Sequence, residues 1–256
     1  MGGPDEPPIF YAFFQKRREK DMAYKRVLLK LSGEMLGENG KLFDHDMIDR
    51  VARTLCQVAD RGVQLGVVIG AGNIWRGRQG KNMCAVTADQ MGMLGTVINC
   101  LCMQDAIVRA GGKAQVMSAI EMPRVCAVFN AQEAARKLKK GHIMLFAGGS
   151  GNPFFSTDTA VVLRAAELEA DAILLAKNID GVYDSDPRVN PEARLIRSLT
   201  YEKAQEMHLK VMDAAAFAMC AEQHVPVVRV FKLDDPENIL RVLDGDDMGT
   251  VLTSEA

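Results

Sequence analysis

The feature that most constrains the fold is a regular alternation that begins at Tyr24, in which short apolar runs alternate with amphipathic stretches. This pattern is typical of repeated strand–helix units, whose strands pair in a mainly parallel sheet. The predicted strands are Val27–Leu31, Leu65–Ile69, Ala114–Met117, Ile143–Phe146, Ala172–Leu175 and Val225–Phe231. The sequence therefore predicts an α/β fold with buried strands.

Helices are predicted where apolar residues recur every three or four positions between these runs. Asp44 is expected to cap the first, which Gly62 closes, and Asp89 to begin the second, about six turns long. The methionine-rich stripe of the second helix indicates core packing or a subunit contact. The remaining predicted helices span residues 158–168, 200–207 and 213–223.

Composition and charge exclude several classes of protein. The 256 residues favour one large domain, predicted at 23–256 after a loose N-terminal extension at 1–22. A net charge of -2 gives no general attraction to nucleic acid or to an anionic membrane. No apolar run is seen to approach the ~20 residues needed to span a bilayer. The apolar stretch near the N-terminus precedes its basic cluster, which is the reverse of a signal peptide.

Cysteine and histidine spacing predicts no bound metal ion. The six cysteines contain no C-x-x-C pair, and the four histidines are scattered without ligand spacing. Reduced, buried thiols are typical of a cytoplasmic protein, which is the predicted location.

Three predicted strands run directly into glycine-rich loops, at Lys30–Glu34, Gly70–Gly77 and Gly148–Asp158. Glycine lets backbone N–H groups crowd around a phosphate, and a following helix adds its positive N-terminal dipole. The segment Asp180–Ala193 is rich in Asp, Gly, Pro and Asn, which predicts a loop at the same edge of the sheet. Together these loops predict a polyphosphate site.

Common phosphate motifs do not account for this site. Gly70 and Gly72 fit a dinucleotide fingerprint, but Trp75 stands where its third glycine should be. No Gly-Lys is followed by Ser or Thr, and the protein-kinase motifs are absent. The site must therefore belong to another architecture.

Six segments, in this order along the chain, resemble the bacterial UMP kinases of the amino-acid-kinase family: Lys30–Glu34, Gly70–Gly77, Asp89–Leu94, Gly151–Asp158, Asp180–Pro187 and Lys210–Asp213. The resemblance covers about residues 24 to 253. It implies a three-layer α/β/α sandwich, with an acceptor half near 23–165 and an ATP half near 166–256. It also implies ATP with Mg²⁺ as donor, UMP as acceptor, a homohexamer, and GTP and UTP as effectors.

The resemblance assigns roles to individual residues. The residues implied to be catalytic are Lys30, Arg76 and Asp158, with Asp158 orienting the cationic groups. Those implied to hold ATP are Lys30, Leu31, Ser32, Gly33, Gly72, Arg76, Asn178, Tyr183 and Asp186. Those implied to hold UMP are Ala71, Asp89, Ser150, Gly151, Asn152, Pro153, Phe154, Phe155, Ser156 and Thr157. No residue is assigned to a metal.

The chain departs from this pattern at two positions. Ala71 stands where relatives often have a third consecutive glycine, and Ser156 where threonine is common. The stretch from Arg76 to Asp89 also looks slightly short.

Other interpretations stay open at the level of sequence. Lys30 fits a surface lysine, and Asp89, Asp158 and Asp213 fit helix caps without any chemical role. A related kinase would phosphorylate a small acid such as acetylglutamate or aspartate. A non-catalytic nucleotide-binding or storage protein would share the fold, and an oxidoreductase is the weakest alternative.

Overall fold

A nine-stranded sheet forms the centre of the computed structural model, which describes residues 24–37, 41–75, 82–185, 187, 189–209 and 211–254. Its strands are β1 (Arg26–Leu31), β2 (Gln64–Ile69), β3 (Ala114–Ser118), β4 (Ala127–Val128), β5 (Ile143–Ala147), β6 (Ala172–Lys177), β9 (Ser198–Thr200), β10 (Val228–Lys232) and β11 (Thr250–Thr253). They lie in the order β4-β3-β5-β2-β1-β6-β10-β11-β9. Every neighbouring pair is parallel except β10 and β11.

All six predicted strands form, and the predicted mainly parallel sheet is confirmed. The prediction was wrong about where β10 begins, because Val225 N–H instead donates to Cys220 O and closes the preceding helix. Pro226 follows and has no N–H for a strand ladder. The sequence patterns missed the short strands β4, β9 and β11, and the separate antiparallel pair of β7 (Val182–Tyr183) and β8 (Leu195–Ile196).

Helices cover both faces of the sheet, which gives the predicted three layers. They are α1 (His45–Asp60), α2 (Ala85–Arg109), α3 (Ala131–Lys139), α4 (Thr157–Glu167), α5 (Tyr201–Glu206), α6 (Ala214–Glu222) and α7 (Asn238–Leu243), with a short 3₁₀ helix at Gly33–Leu36. Alternate residues of β1 face opposite layers, as strand geometry requires. Val27, Leu29 and Leu31 pack with α1, α2 and α7, whereas Leu28 packs with α3 to α6.

The helix starts confirm two predicted caps and correct two others. Asp44 caps α1 by accepting a hydrogen bond from Met47 N–H at 3.1 Å. Asp213 caps α6 by accepting a hydrogen bond from Ala216 N–H at 2.9 Å. The start predicted at Asp89 was wrong, because α2 begins at Ala85, where the chain has no capping side chain to mark it. Asp158 is the second residue of α4 and not its cap, since the Ser156 hydroxyl accepts from the first N–H groups.

The long helix α2 bears on the prediction that no apolar segment approaches the length needed to span a bilayer. Within its 25 residues an 18-residue stretch has a mean hydropathy of 1.4, so by length and composition it is apolar enough to cross a bilayer. Half of that stretch is buried inside the domain, which is typical of a core helix.

The order of the strands changes direction between β1 and β6. Strands β2 to β5 follow on one side of β1, whereas β6 and β9 to β11 lie on the other. The predicted division into acceptor and ATP halves stays a prediction. The extension at 1–22, Arg76 with most of the loop that follows it, Asp186 and Lys210 lie outside the described residues.

Candidate active site

The site is built where the sheet changes direction. In open α/β sheets ligands bind outside the carboxyl ends of the strands at this switch point. Lys30 lies near the carboxyl end of β1, and Lys177 is the last residue of the neighbouring strand β6. The parallel register sets Lys30 opposite Leu175, so the two lysines stand at the same edge of the sheet.

A single carboxylate joins these two lysines. Lys30 Nζ lies 3.0 Å from Asp158 Oδ1, and Lys177 Nζ lies 2.8 Å from Asp158 Oδ2. The three side chains keep only 12%, 17% and 14% of their surface exposed, in the order Lys30, Lys177, Asp158. Asp158 reaches them from the first turn of α4, where the helix dipole favours a negative charge. The arrangement holds two ammonium groups side by side at the carboxyl ends of β1 and β6.

The side chains of this triad shift one another's pKa values. Burial alone would raise the pKa of Asp158, but the charges and hydrogen bonds of Lys30 and Lys177 outweigh it and hold that pKa below its usual range. Burial lowers the pKa of Lys177, and the attraction of Asp158 offsets part of that effect. Asp158 is therefore a weak base at neutral pH, suited to orienting cations and not to accepting a proton.

Lys177 is the member of this triad that the sequence patterns did not predict. It ends an apolar strand at the same edge as Lys30, and that shared position is the signal that would have found it. The predicted strand ended at Leu175, two residues before Lys177, so the lysine fell outside the prediction. Lys177 Nζ also donates to Val211 O, which holds the side chain toward Asp158.

Asp213 supports the triad indirectly, through Ser156 and Thr159. Its carboxylate accepts hydrogen bonds from the Ser156 hydroxyl and from Thr159 Oγ1, the latter at 2.8 Å. Ser156 Oγ in turn accepts from Asp158 N–H at 3.0 Å. Asp213 thereby ties the N-terminus of α6 to the first turn of α4, which carries Asp158.

The first two glycine-rich loops touch each other directly. Gly70 N–H donates to Leu31 O at 2.9 Å. A Cβ atom built on Gly33 would lie 2.2 Å from Gly70 O and 2.7 Å from Gly72 N, closer than real Cβ contacts allow. Only glycine at position 33 lets the loops after β1 and β2 pack together, beside Ser32 and Lys30.

Ala71 is accommodated by a glycine on α2. A Cβ atom built on Gly95 would lie 2.9 Å from the Cβ of Ala71, so there is room for the Ala71 methyl group only because Gly95 has no side chain. Alanine at position 71, where relatives often have glycine, is therefore accommodated by the absence of a side chain at Gly95.

The third loop follows β5 and takes an unusual backbone path. Gly148, Gly149 and Gly151 have φ values of 77°, 59° and 83°, and Phe154 has a φ of 70°. This left-handed conformation costs a non-glycine residue on the order of 1 kcal/mol or more. Asp89 holds the turn, because its Oδ2 accepts a hydrogen bond from Phe154 N–H at 2.7 Å.

An open cleft with about 480 Å³ of empty space lies between α2 and the second and third loops. Five residues that the sequence assigned to the acceptor line it: Ala71, Asp89, Asn152, Phe155 and Thr157. Ser150, Gly151, Pro153, Phe154 and Ser156 belong to the same loop without lining the cleft. The lining residues that sequence reasoning missed are Ala88, Gly92, Met93, Thr96 and Gly149. Most of them lie on α2, whose apolar pattern indicated core.

Asn178 and Tyr183, two of the residues assigned to ATP, lie on the β6 side of β1. Asn178 follows β6, and its Nδ2 donates to Glu34 Oε2 at 3.3 Å, which links this side to the first loop. Tyr183 lies in β7, and its hydroxyl donates to Asp180 Oδ2 at 2.8 Å, a bond that raises the pKa of Tyr183. The prediction that 180–193 is a loop was therefore wrong in part, because the segment contains the short strand β7.

Known proteins are similar to this chain in both fold and sequence. The sequence profile of the Amino acid kinase family matches residues 25–231. UMP kinase from Bacillus anthracis is 35% identical, with a TM-score of 0.87, over 91% of this chain and 97% of that one. UMP kinase from Ureaplasma parvum is also 35% identical, with a TM-score of 0.85, over 91% of this chain and 100% of that one.

A third solved structure shares the fold at lower identity. Uridylate kinase from Archaeoglobus fulgidus is 24% identical, with a TM-score of 0.66, over 89% of this chain and 99% of that one. The profile match spans most of the sequence, and it includes β1 with Lys30, the first turn of α4 with Asp158, and β6 with Lys177. This chain belongs to the amino acid kinase family.

Proposed function

We propose that this chain transfers the γ-phosphoryl group of ATP to UMP, giving ADP and UDP. The observation that carries the proposal is the Lys30–Asp158–Lys177 triad at the carboxyl ends of β1 and β6, with an open cleft on the β2 side and Asn178 on the β6 side. The likeness to two UMP kinases at 35% identity over nearly their whole length supports UMP as the acceptor.

The reaction needs charge compensation more than it needs a base. An oxygen of the UMP phosphate attacks the γ-phosphorus, the new O–P bond forms, and the bond to the bridging oxygen of ADP breaks. The second pKa of a phosphate monoester is about 6, so the nucleophile is already ionised at neutral pH. This chemistry agrees with a site whose carboxylate is held by two lysines.

The triad would act on the phosphoryl group in transfer. Lys30 and Lys177 place two positive charges where negative charge gathers on the oxygens between donor and acceptor. Asp158 keeps both ammonium groups in place before the nucleotides arrive, so little reorganisation is needed. Backbone N–H groups at Ser32, Gly33 and Gly72 would complete the phosphate contacts, together with Arg76.

The remaining assignments divide between the two nucleotides. On the acceptor side, Asp89 would accept the ribose hydroxyls of UMP, and the loop at 150–157 would surround its phosphate and base. On the donor side, Asn178, Tyr183 and Asp186 would hold the adenine nucleotide.

Magnesium would enter as part of the substrate. Within the described residues there is no group of three His, Cys, Asp or Glu side chains placed to hold a metal ion. Mg²⁺ commonly binds phosphate oxygens and water with few protein ligands, so the MgATP complex is the expected donor.

The acceptor is tested by coupled ADP release with ATP, Mg²⁺ and a panel of acceptors. We expect UMP to give the highest kcat/KM, with CMP weaker and acetylglutamate and aspartate inactive, because the cleft offers a carboxylate and a long loop to a nucleotide. A preference for an amino acid would contradict the proposal. Nucleotide binding without turnover on any acceptor would support the non-catalytic alternative.

Assembly into a homohexamer is a further part of the proposal. The side of α2 that faces away from the sheet exposes Met91, Leu94, Ile98 and Val108, an apolar stripe at helical spacing. Such a stripe in a symmetric oligomer would pack against its own copy in a second subunit.

Changing Leu94 to lysine is expected to convert the assembly to smaller species, because a charge cannot be buried at such a contact without a partner. Size-exclusion chromatography with light scattering would measure this. Leu42→Lys is the matched control, since Leu42 lies outside α2 and is about as exposed as Leu94. An unchanged mass for Leu94→Lys, or a monomeric wild type, would contradict the proposed interface.

Regulation by GTP and UTP and a cytoplasmic location complete the proposal. The six cysteines form no disulfide, which agrees with a reducing compartment.

A further inference from the structure

Two buried polar side chains lie one turn apart on α2. Thr96 and Asn99 are 3% and 0% exposed, and spacing of three residues sets them on the same side of the helix. Polar groups in such positions destabilise a helix core unless they are hydrogen-bonded. Their partners therefore indicate what these residues do.

Thr96 holds the start of the third loop. Its hydroxyl donates to Met93 O at 2.6 Å and accepts from Gly148 N–H at 2.8 Å. Gly148 follows directly after β5 and has a φ of 77°, so it is the residue at which the chain turns into the loop. A valine at position 96 would fill the same space without making either bond.

Asn99 holds the start of the second loop in the same way. Its Nδ2 donates to Gly70 O at 2.7 Å and to Asn73 Oδ1 at 2.8 Å. Gly70 follows directly after β2. Asn73 Nδ2 donates back to Asn99 Oδ1 at 3.1 Å, so the amide groups are paired in both directions.

The backbone of α2 also approaches the second loop at Gly95, the residue before Thr96. Gly95 lies against Ala71, as described above, so α2 cannot move toward the loop without a clash. One helix thus fixes the first residue of each of two loops, and both loops line the acceptor cleft.

We propose that Thr96 and Asn99 are positioning residues that set the spacing between the second and third loops, and thereby the affinity for the acceptor nucleotide. This inference rests on the proposed function, because it assigns the cleft between these loops to UMP. Both side chains act through Gly148 and Gly70, not through contact with the reacting atoms.

The test compares Thr96→Val with Thr54→Val. Thr54 is a matched control because it is also buried in a helix and donates to its own helix at Arg50 O, yet no loop hydrogen bond to its hydroxyl is present among the described residues. We expect Thr96→Val to raise KM for UMP about five- to tenfold, the effect of leaving one buried N–H without a partner. KM for ATP should stay within about twofold, and Thr96→Ser, which keeps the hydroxyl, should restore most of the affinity for UMP.

Amide hydrogen exchange gives a readout that does not depend on any substrate. In Thr96→Val, exchange at residues 148–155 should become about tenfold faster, whereas the same amides in Thr54→Val should match the wild type. If Thr96→Val fails to fold, Thr96→Ala provides the same comparison.

The outcomes separate this inference from the proposed function. Wild-type protein that does not phosphorylate UMP would overturn the function, and the exchange data would still decide the positioning role. Unchanged exchange with an unchanged KM for UMP in Thr96→Val would overturn the inference. Equal losses toward both substrates, shared by Thr54→Val, would indicate general loosening and would also overturn it.

Discussion

Changing Lys30 to alanine is expected to lower kcat by about 100- to 1,000-fold, the usual effect of removing one donor from a preorganised electrostatic site. The reason is the position of Lys30 Nζ, 3.0 Å from Asp158 at the end of β1, where phosphate charge would gather. Stability should change little, by about 1 kcal/mol or less, because Asp158 keeps its contact with Lys177. Steady-state turnover and a denaturant midpoint measure the two effects.

Lys25→Ala is the matched control for this prediction. Lys25 directly precedes the same strand at its opposite end and is exposed, so its replacement removes a nearby lysine without touching the site. We expect turnover of Lys25→Ala to equal that of the wild type. If Lys30→Ala also turned over at the wild-type rate, the ion pair of Lys30 would be structural only and the catalytic assignment would be wrong.

The second large effect is expected from Asp158→Asn, which removes the negative charge that joins the two lysines of the triad. The free energy of unfolding should fall by about 2 kcal/mol, less than the ~3–5 kcal/mol of a fully buried pair, because the three side chains are partly solvated. Turnover should fall by about 100-fold or more, since Lys30 and Lys177 would repel each other and lose their position. Chemical denaturation and steady-state kinetics check both numbers.

The pH dependence of this stability difference has a definite sign. The folded pKa of Asp158 is held below its unfolded value of about 3.9, so the carboxylate stabilises the folded state fully above about pH 4. This contribution is lost as the pH falls through the folded pKa. The gap between wild type and Asp158→Asn should therefore be constant at neutral pH and shrink below about pH 4.

Asp46→Asn supplies the comparison for a helix-terminal effect alone. Asp46 lies in the first turn of α1, as Asp158 lies in the first turn of α4, but it is exposed. We expect its replacement to leave stability nearly unchanged and turnover unchanged. Equal losses in the two variants would mean that Asp158 acts only on the helix dipole, which would remove it from the site.

Local patterns were sufficient for most of the fold. The apolar runs that became β1, β2, β3, β5 and β6 were found because a strand buried on both faces needs continuous apolar residues. Asp44 and Asp213 were found because a capping carboxylate bonds an N–H only three residues away. The start of α2 was missed because Cys84 caps it without a side-chain bond.

The candidate site contains contacts that local sequence patterns did not predict. Lys30 and Asp158 were named from the family resemblance, but the partner that completes the triad, Lys177, was not. Asp89 was assigned to the ribose, and its bond to Phe154 N–H across 65 positions was not foreseen. Contacts of this kind depend on which strands become neighbours, which no short segment specifies.

The sequence by itself determined the alternation of strands and helices, the glycine loops at the strand ends and the membership of a kinase family. Only the tertiary structure decided that Lys30 and Lys177 share one carboxylate, and that α2 holds two loops through Thr96 and Asn99. The physical reason is range: apolar periodicity and capping act between residues a few positions apart. The site arises where the parallel register and the change of strand order bring the ends of distant strands to one edge of the sheet.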